Sequence, residues 1–150
     1  MTLIRTTVLS LCFAALSGPV FASLGGDGTS IGSDLARMKG SLRVNTTADY
    51  TVHEITTPDG TVVREYVSSA DKVFAVSWRG PFIPDLRQVL GGYYARYLQS
   101  TSTPHAGGHR HLSIEQPNLV VQSSGHMRAF AGRAWAPDLL PKNFATVDIH

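Results

Sequence analysis

The sequence predicts an α+β domain, in which an antiparallel sheet of about five to six strands carries one long and one short helix on one face. Short runs rich in β-branched and aromatic residues alternate with turn residues, which is typical of antiparallel strands. Two other stretches repeat apolar residues every three to four positions, which is typical of amphipathic helices. Because the strands follow one another through short turns, the helices are expected to pack together on the sheet.

The short helix is predicted after a glycine-rich stretch, residues 23–30, which we expect to be mobile. Ser33 and Asp34 provide an N-cap and a first turn, and Gly40 ends the helix. Apolar residues spaced three and four apart give this helix one face to bury.

Three strands are predicted next. "YTVHEITT" and "TVVREYVS" flank Pro58-Asp59-Gly60, a three-residue hairpin loop in which proline presets the turn and glycine supplies a positive φ. "KVFAVSW" is apolar at both alternating sets of positions, so we expect a strand in the interior of the sheet.

The long helix is predicted from its cap and its apolar stripe. Asp85 is placed to cap the helix, and Gln88 three residues later completes a capping-box arrangement. Leucine, valine and tyrosine recur at helical spacing as far as Leu98. Gly91 and Gly92 lie off this stripe, and they indicate a close backbone approach or a bend.

The last part of the chain is predicted to be a meander. A loop, residues 99–109, leads to "HLSIE", "NLVVQS", a turn at Ser124 and Gly125, and "HMRAFAGRAW". In an extended "HLSIE", alternation directs Leu112 and Ile114 to the core and the intervening side chains to solvent.

The first 22 residues have the pattern of a secretory signal peptide, with one basic residue, a short apolar run and cleavage after Ala22. We therefore expect a periplasmic or secreted protein whose single domain is residues 23–150. The run is too short to span a bilayer, so no stable membrane insertion is expected after cleavage. The only cysteine, Cys12, lies in this leader, which leaves the mature chain without cysteine.

Composition and motifs exclude several function classes. A formal net charge of +2 gives no electrostatic basis for nucleic-acid binding. The sequence has neither a Gly-x-Ser-x-Gly nucleophile motif nor a glycine-rich phosphate loop before a helix. No catalytic set is assembled, so a non-enzymatic protein is favoured, with a small hydrolase of unrecognised site as an alternative.

The stretch "PHAGGHRH" suggests a metal site. His105, His109 and His111 lie within seven residues, and the last two are offset by two positions, so an extended backbone offers both imidazoles to one zinc or copper ion. No helical His-Glu-x-x-His motif accompanies them. Metal binding by this loop is therefore an alternative hypothesis, and no cofactor is expected otherwise.

Arginines and aromatic residues cluster in two blocks, "VSWRG" and "GHMRAFAGRAW". Guanidinium groups pack well on aromatic rings, which explains the pattern structurally. The alternative is a surface that contacts an anion or a glycan.

"VFAVSWRGPFIPDLRQVLGGYY" and "GHMRAFAGRAWAPDLLP", with the "ASLGG" junction, resemble a family of exported bacterial proteins known as domain of unknown function 2844. The resemblance covers essentially the whole mature chain. It implies export and a domain of this size, and it supplies no catalytic residue.

We therefore expect an exported, periplasmic, non-enzymatic binding or envelope-accessory protein that contacts an unidentified envelope protein or ligand. The residues expected to form its binding surface lie in or next to the two blocks: Trp78, Arg79, Asp85, Arg87, His126, Arg128 and Arg133.

Overall fold

The structure, a computed structural model, describes residues 23–102 and 111–150. Three helices precede or interrupt the strands: α1 (Ile31–Met38), α2 (Leu86–Leu90) and α3 (Tyr94–Thr101). The strands are β1 (Ser41–Thr46), β2 (Tyr50–Thr56), β3 (Val62–Ser68), β4 (Val73–Gly80), β5 (His111–Gln116), β6 (Leu119–His126) and β7 (Ala129–Trp135). Short 3₁₀ turns lie at Gly28–Ser30, Gly91–Tyr93, Pro137–Leu139 and Thr146–Asp148. None of the described helices is long and apolar enough to cross a membrane.

The strands form one antiparallel sheet in the order β1-β2-β3-β4-β7-β6-β5. The predicted α+β class is confirmed, but the count of five to six strands is wrong, because the sheet has seven. The strand missed by the prediction is β1, a short edge strand whose six residues are all exposed. It has no buried side chain, and so it lacks the apolar run by which the other strands were predicted.

The predicted turn at Ser124 and Gly125 is also wrong. Strand β6 continues through both residues to His126, and the chain turns at Met127 and Arg128 instead. Gly125 stays in the ladder because the ring of Phe130, its cross-strand partner, lies where a Cβ at position 125 would project. Glycine here provides room for an aromatic ring.

The long helix is interrupted at Gly91, whose φ of 48° is in the region that favours glycine. A Cβ at Gly91 would overlap the Ser23 hydroxyl, so both a bend and a close approach account for this glycine. Asp85 caps α2 as predicted, accepting a hydrogen bond of 2.9 Å from the Arg87 amide. Gln88 does not complete a capping box. Its Nε2 donates instead to Asp34 of α1, at 2.7 Å.

Two apolar clusters cover the two faces of the sheet. On one face, which we call the helix face, Val63, Val76, Val121 and Ala134 pack against α1, α2 and α3. On the opposite face, which we call the tail face, Tyr66, Phe74 and Trp135 pack against the closing segment, residues 137–150. The helices occupy one face as predicted, while the closing segment covers only part of the other.

Residues 23–27 also join the helix layer to the sheet. The Leu24 amide donates to the Val89 carbonyl at 3.1 Å, and the Gly25 amide donates to the Val73 carbonyl at 2.8 Å. The Leu24 side chain is buried. The predicted signal peptide, residues 1–22, lies outside the described residues.

Candidate functional site

A groove with a volume of about 640 Å³ lies on the tail face, where the closing segment leaves the sheet uncovered. Strands β4, β7, β6 and β5 form its floor, and the end of the closing segment forms a wall. The polar residues that line it are Arg79, His111, Ser113, Gln122, Ser123, Ser124, Arg133 and His150. Its volume is in the range of small-molecule sites in proteins.

The electrostatic character of the groove is positive. Two guanidinium groups and two imidazoles line it, and no aspartate or glutamate is found among its described lining residues. Arg79 is exposed, and it has no hydrogen-bond or ion-pair partner within residues 23–102 and 111–150. Its guanidinium is therefore available to a ligand.

Arg133 is held rigidly by its neighbours. Its Nε donates to Gln122 Oε1 at 2.9 Å, and its Nη1 donates to the Thr146 carbonyl at 3.0 Å. Its guanidinium also lies over the Trp135 ring, 5.5 Å from the centroid. Arg133 thus joins the sheet to the closing segment and presents a fixed positive charge to the groove.

The groove wall is fixed by hydrogen bonds to the His150 carbonyl. Ser77 Oγ and the Tyr66 hydroxyl both donate to it at 3.1 Å, and Arg64 Nη1 donates to the same oxygen. Arg64 is oriented by an ion pair with Glu54 at 2.8 Å. Because these donors come from the sheet, the position of His150 depends on β3 and β4.

The structure separates the residues predicted to form one binding surface. Arg79 and Arg133 line the groove, whereas the Trp78 ring packs in the apolar cluster of the helix face, against Gly132. Asp85 caps α2, and Arg87 lies over the Tyr94 ring at 5.5 Å.

The remaining two predicted residues lie at the β6–β7 turn. His126 ends β6, and Arg128 follows it with a φ of 64°. The arrangement therefore divides the predicted surface into a groove part, a helix part and a hairpin end.

The predicted metal loop is only partly described. His111 begins β5 and lines the groove, while His105 and His109 lie outside the described residues. Within the part of the chain that is described, no group of three or more histidine, cysteine or acidic side chains is placed to hold a metal ion.

A second cluster, which the sequence did not suggest, lies beneath the helix layer. The carboxyl groups of Asp34 in α1 and Glu65 in β3 lie within hydrogen-bonding reach of one another and are almost fully buried. Burial raises the pKa of Asp34 to about 6, and burial together with the negative charge of Asp34 raises the pKa of Glu65 to about 9. This carboxyl pair lies on the helix face, apart from the groove.

The alternation of side chains between the two faces of the strands predicted part of the groove lining. His111 and Ser113 are exposed and Ile114 is buried, as the pattern of "HLSIE" predicted. The same alternation in β6 places Gln122 and Ser124 on the tail face. The part of the groove that β4 contributes was not predictable, because β4 pairs with β7 across a long stretch of intervening sequence.

Comparison with known proteins gives a family and no further relative. A family model described as "Protein of unknown function (DUF2844)" matches residues 20–149. Neither a curated protein nor a solved structure matches the chain. Since the match spans both the sheet and the helix layer, the chain belongs to this family of proteins of unknown function, DUF2844.

Proposed function

We propose that the protein is an exported, non-enzymatic binding domain of the cell envelope that holds an anionic ligand in the tail-face groove. The observation that carries the proposal is the groove's lining, which combines Arg79 and Arg133 with two imidazoles and includes no aspartate or glutamate among the described residues. A lining of one charge sign favours ligands of the opposite sign. Export is proposed from the signal-peptide pattern of residues 1–22.

The positions of the two arginines suit a single anionic group. Arg79 is opposite Ala131 in the ladder, and Arg133 is opposite Ser77, so the two arginines are diagonal neighbours on the same face. Side chains in this relationship are about 7–8 Å apart at Cα and are within reach of a common ligand. Guanidinium groups bind carboxylate and phosphate oxygens in bidentate geometry. The hydroxyl groups of Ser113 and Ser124 add uncharged hydrogen-bond donors beside them.

The chemistry of the lining also argues for binding and against hydrolysis. A hydrolase needs a nucleophile or a general base in contact with a second titratable group inside a concave site. The carboxyl pair of Asp34 and Glu65, whose pKa values are raised, is buried on the helix face, whereas the groove is on the tail face.

Calorimetric titration of the protein with inorganic phosphate, citrate and a sulfated disaccharide tests the proposal, with maltose as the uncharged comparison. We expect at least one anion to bind, no binding of maltose, and weaker binding as salt increases. Arg79→Gln should weaken anion binding about tenfold or more, which corresponds to loss of one charge-assisted contact.

The matched control is Arg43→Gln, because Arg43 lies in β1 at the far edge of the same sheet. This variant should bind as the unmodified protein does. Absence of binding by all three anions, or equal affinity in the Arg79 and Arg43 variants, would refute the proposal.

A further inference from the structure

Strand β1 is an edge of the sheet, and its apolar side chains are uncovered. Leu42 and Val44 lie on the helix face, opposite Ile55 and His53 of β2. Their side chains are 39% and 49% exposed, so the helix layer leaves them accessible. Edge strands usually carry a proline, a bulge or an inward-facing charge that prevents pairing with another chain. Strand β1 has no proline and pairs with β2 without a shift in register.

The hydrogen-bonding capacity of this edge follows from its register. The Thr47 amide donates to the Tyr50 carbonyl at 2.9 Å, which makes residues 47 and 50 a hydrogen-bonded pair. Such pairs alternate with non-hydrogen-bonded ones along an antiparallel ladder. The backbone N–H and C=O groups of Leu42, Val44 and Thr46 therefore point away from β2, toward the open edge.

We infer that β1 pairs antiparallel with β1 of a second copy of the protein, about a two-fold axis at Val44, so that the two sheets become continuous. In this register Val44 lies opposite its equivalent, and Leu42 lies opposite Thr46 of the second copy. All outward N–H and C=O groups of these three residues are then paired. The four aliphatic side chains of Leu42 and Val44 form one strip across the junction.

Charge complementarity favours the register centred on Val44 over the register centred on Arg43. Pairing centred on Arg43 would place two guanidinium groups directly opposite each other and would leave the outward groups of Thr46 unpaired. Pairing centred on Val44 places Arg43 opposite Asn45. It also brings Lys39, in the turn before β1, to the same end of the paired strands as Asp49 of the second copy, in the turn after β1.

Lys39 and Asp49 are free to make this contact. Both are exposed, and neither forms an ion pair within the described part of the chain. Because the axis relates the two copies, the Lys39–Asp49 contact occurs twice, once at each end of the paired strands. An isologous pairing of this kind closes on itself and forms a dimer, with no further growth.

Sedimentation of the full protein over a range of concentrations tests the inference, and we expect a reversible dimer. Val44→Pro removes one outward N–H without removing a hydrogen bond to β2, so it should produce a monomer that remains folded. Val44→Thr keeps the N–H and the branched Cβ and is the matched control, which should still dimerise. Circular dichroism of both variants verifies the fold.

Charge reversal tests the register itself. Lys39→Glu and Asp49→Lys should each weaken dimerisation at least threefold, because each places like charges opposite one another. The double variant restores opposite charges and should recover the original dissociation constant. A protein that is monomeric at every concentration, a dimer unaffected by Val44→Pro, or a double variant that is not rescued would overturn the inference.

Discussion

Asp34 and Glu65 meet beneath α1, where the two residues are 0% and 1% exposed and their carboxyl groups lie within hydrogen-bonding reach. Among the described residues, one polar side chain donates to them: Gln88, whose Nε2 donates to Asp34 Oδ1. Within the described residues, neither Asp34 Oδ2 nor Glu65 Oε2 accepts a hydrogen bond from any donor. Two ionised carboxylates cannot hydrogen-bond each other, so the contact requires a proton on one of them, and Glu65 holds it more tightly.

The first prediction concerns the pH dependence of stability. Because both folded-state pKa values are raised, the stabilisation by the protonated pair is complete at low pH and is lost as pH rises through about 6 and about 9. The lowered pKa of His53 makes the free energy of unfolding rise with pH, but this rise is complete above the ordinary histidine pKa of 6.5. We therefore expect the free energy of unfolding to fall between about pH 7 and pH 9, by at most about 1.4 kcal/mol per pH unit for each proton.

Urea denaturation at several pH values across this window measures the effect. A free energy of unfolding that stays constant or rises from pH 7 to pH 9 would show that the pair does not retain its proton.

The second prediction is that Glu65→Gln stabilises the protein at alkaline pH. The glutamine amide donates to Asp34 as the protonated carboxyl does, and it cannot ionise. At pH 8 the free energy of unfolding should rise by about 1–2 kcal/mol, and its fall between pH 7 and pH 9 should largely disappear.

Glu54→Gln is the comparison, because Glu54 lies in the adjacent strand and pairs with Arg64 on the tail face. Loss of this partly exposed ion pair should cost about 1 kcal/mol or less and leave the pH dependence unchanged. Equal pH profiles for the two variants would contradict the assignment of the effect to Glu65.

The third prediction compares two adjacent glycines. Gly91 has a positive φ and its missing Cβ would meet Ser23, whereas a Cβ at Gly92 would have no atom within 4 Å. Gly91→Ala should therefore lower the free energy of unfolding by about 1–3 kcal/mol. Gly92→Ala should be neutral or raise it by up to about 1 kcal/mol. Chemical denaturation of both variants gives the comparison, and equal effects would show that the contact with Ser23 is not restrictive.

The sequence predicted local structure correctly where that structure depends on residues close together in the chain. The Pro58–Gly60 loop and the Asp85 cap depend on nearby residues, and both were predicted. The role of Gln88 was not predicted, because its partner Asp34 lies in another helix and contacts it only through tertiary packing. Asp34 itself has the sequence pattern of an exposed first-turn residue.

The groove was unpredictable for the same reason. Its two arginines belong to β4 and β7, which become neighbours only when the chain between them leaves the sheet and returns. Sequence alternation predicted which side chains of β5 face outward, but the neighbouring strand could not be identified. The clustering of arginine with tryptophan was visible in the sequence, and the ladder divides it between the two faces of the sheet.

The last prediction concerns the helix face of β4 and β7, where the Trp78 ring lies against Gly132. The two residues are cross-strand partners in β4 and β7, and a Cβ at position 132 would overlap the indole. Trp78 is buried, so its ring cannot move aside without displacing other core residues. Gly132→Ala should lower the free energy of unfolding by about 1–3 kcal/mol, the usual cost of overpacking.

A double-mutant cycle with Trp78→Phe identifies the cause. The smaller phenyl ring leaves room for a methyl group, so Gly132→Ala should cost at least about 1 kcal/mol less in the Trp78→Phe background than in the original protein. Gly32→Ala, in α1, provides the reference, because a Cβ there meets nothing within 4 Å. Additive effects of the Gly132 and Trp78 substitutions would mean that the ring does not require a glycine beneath it.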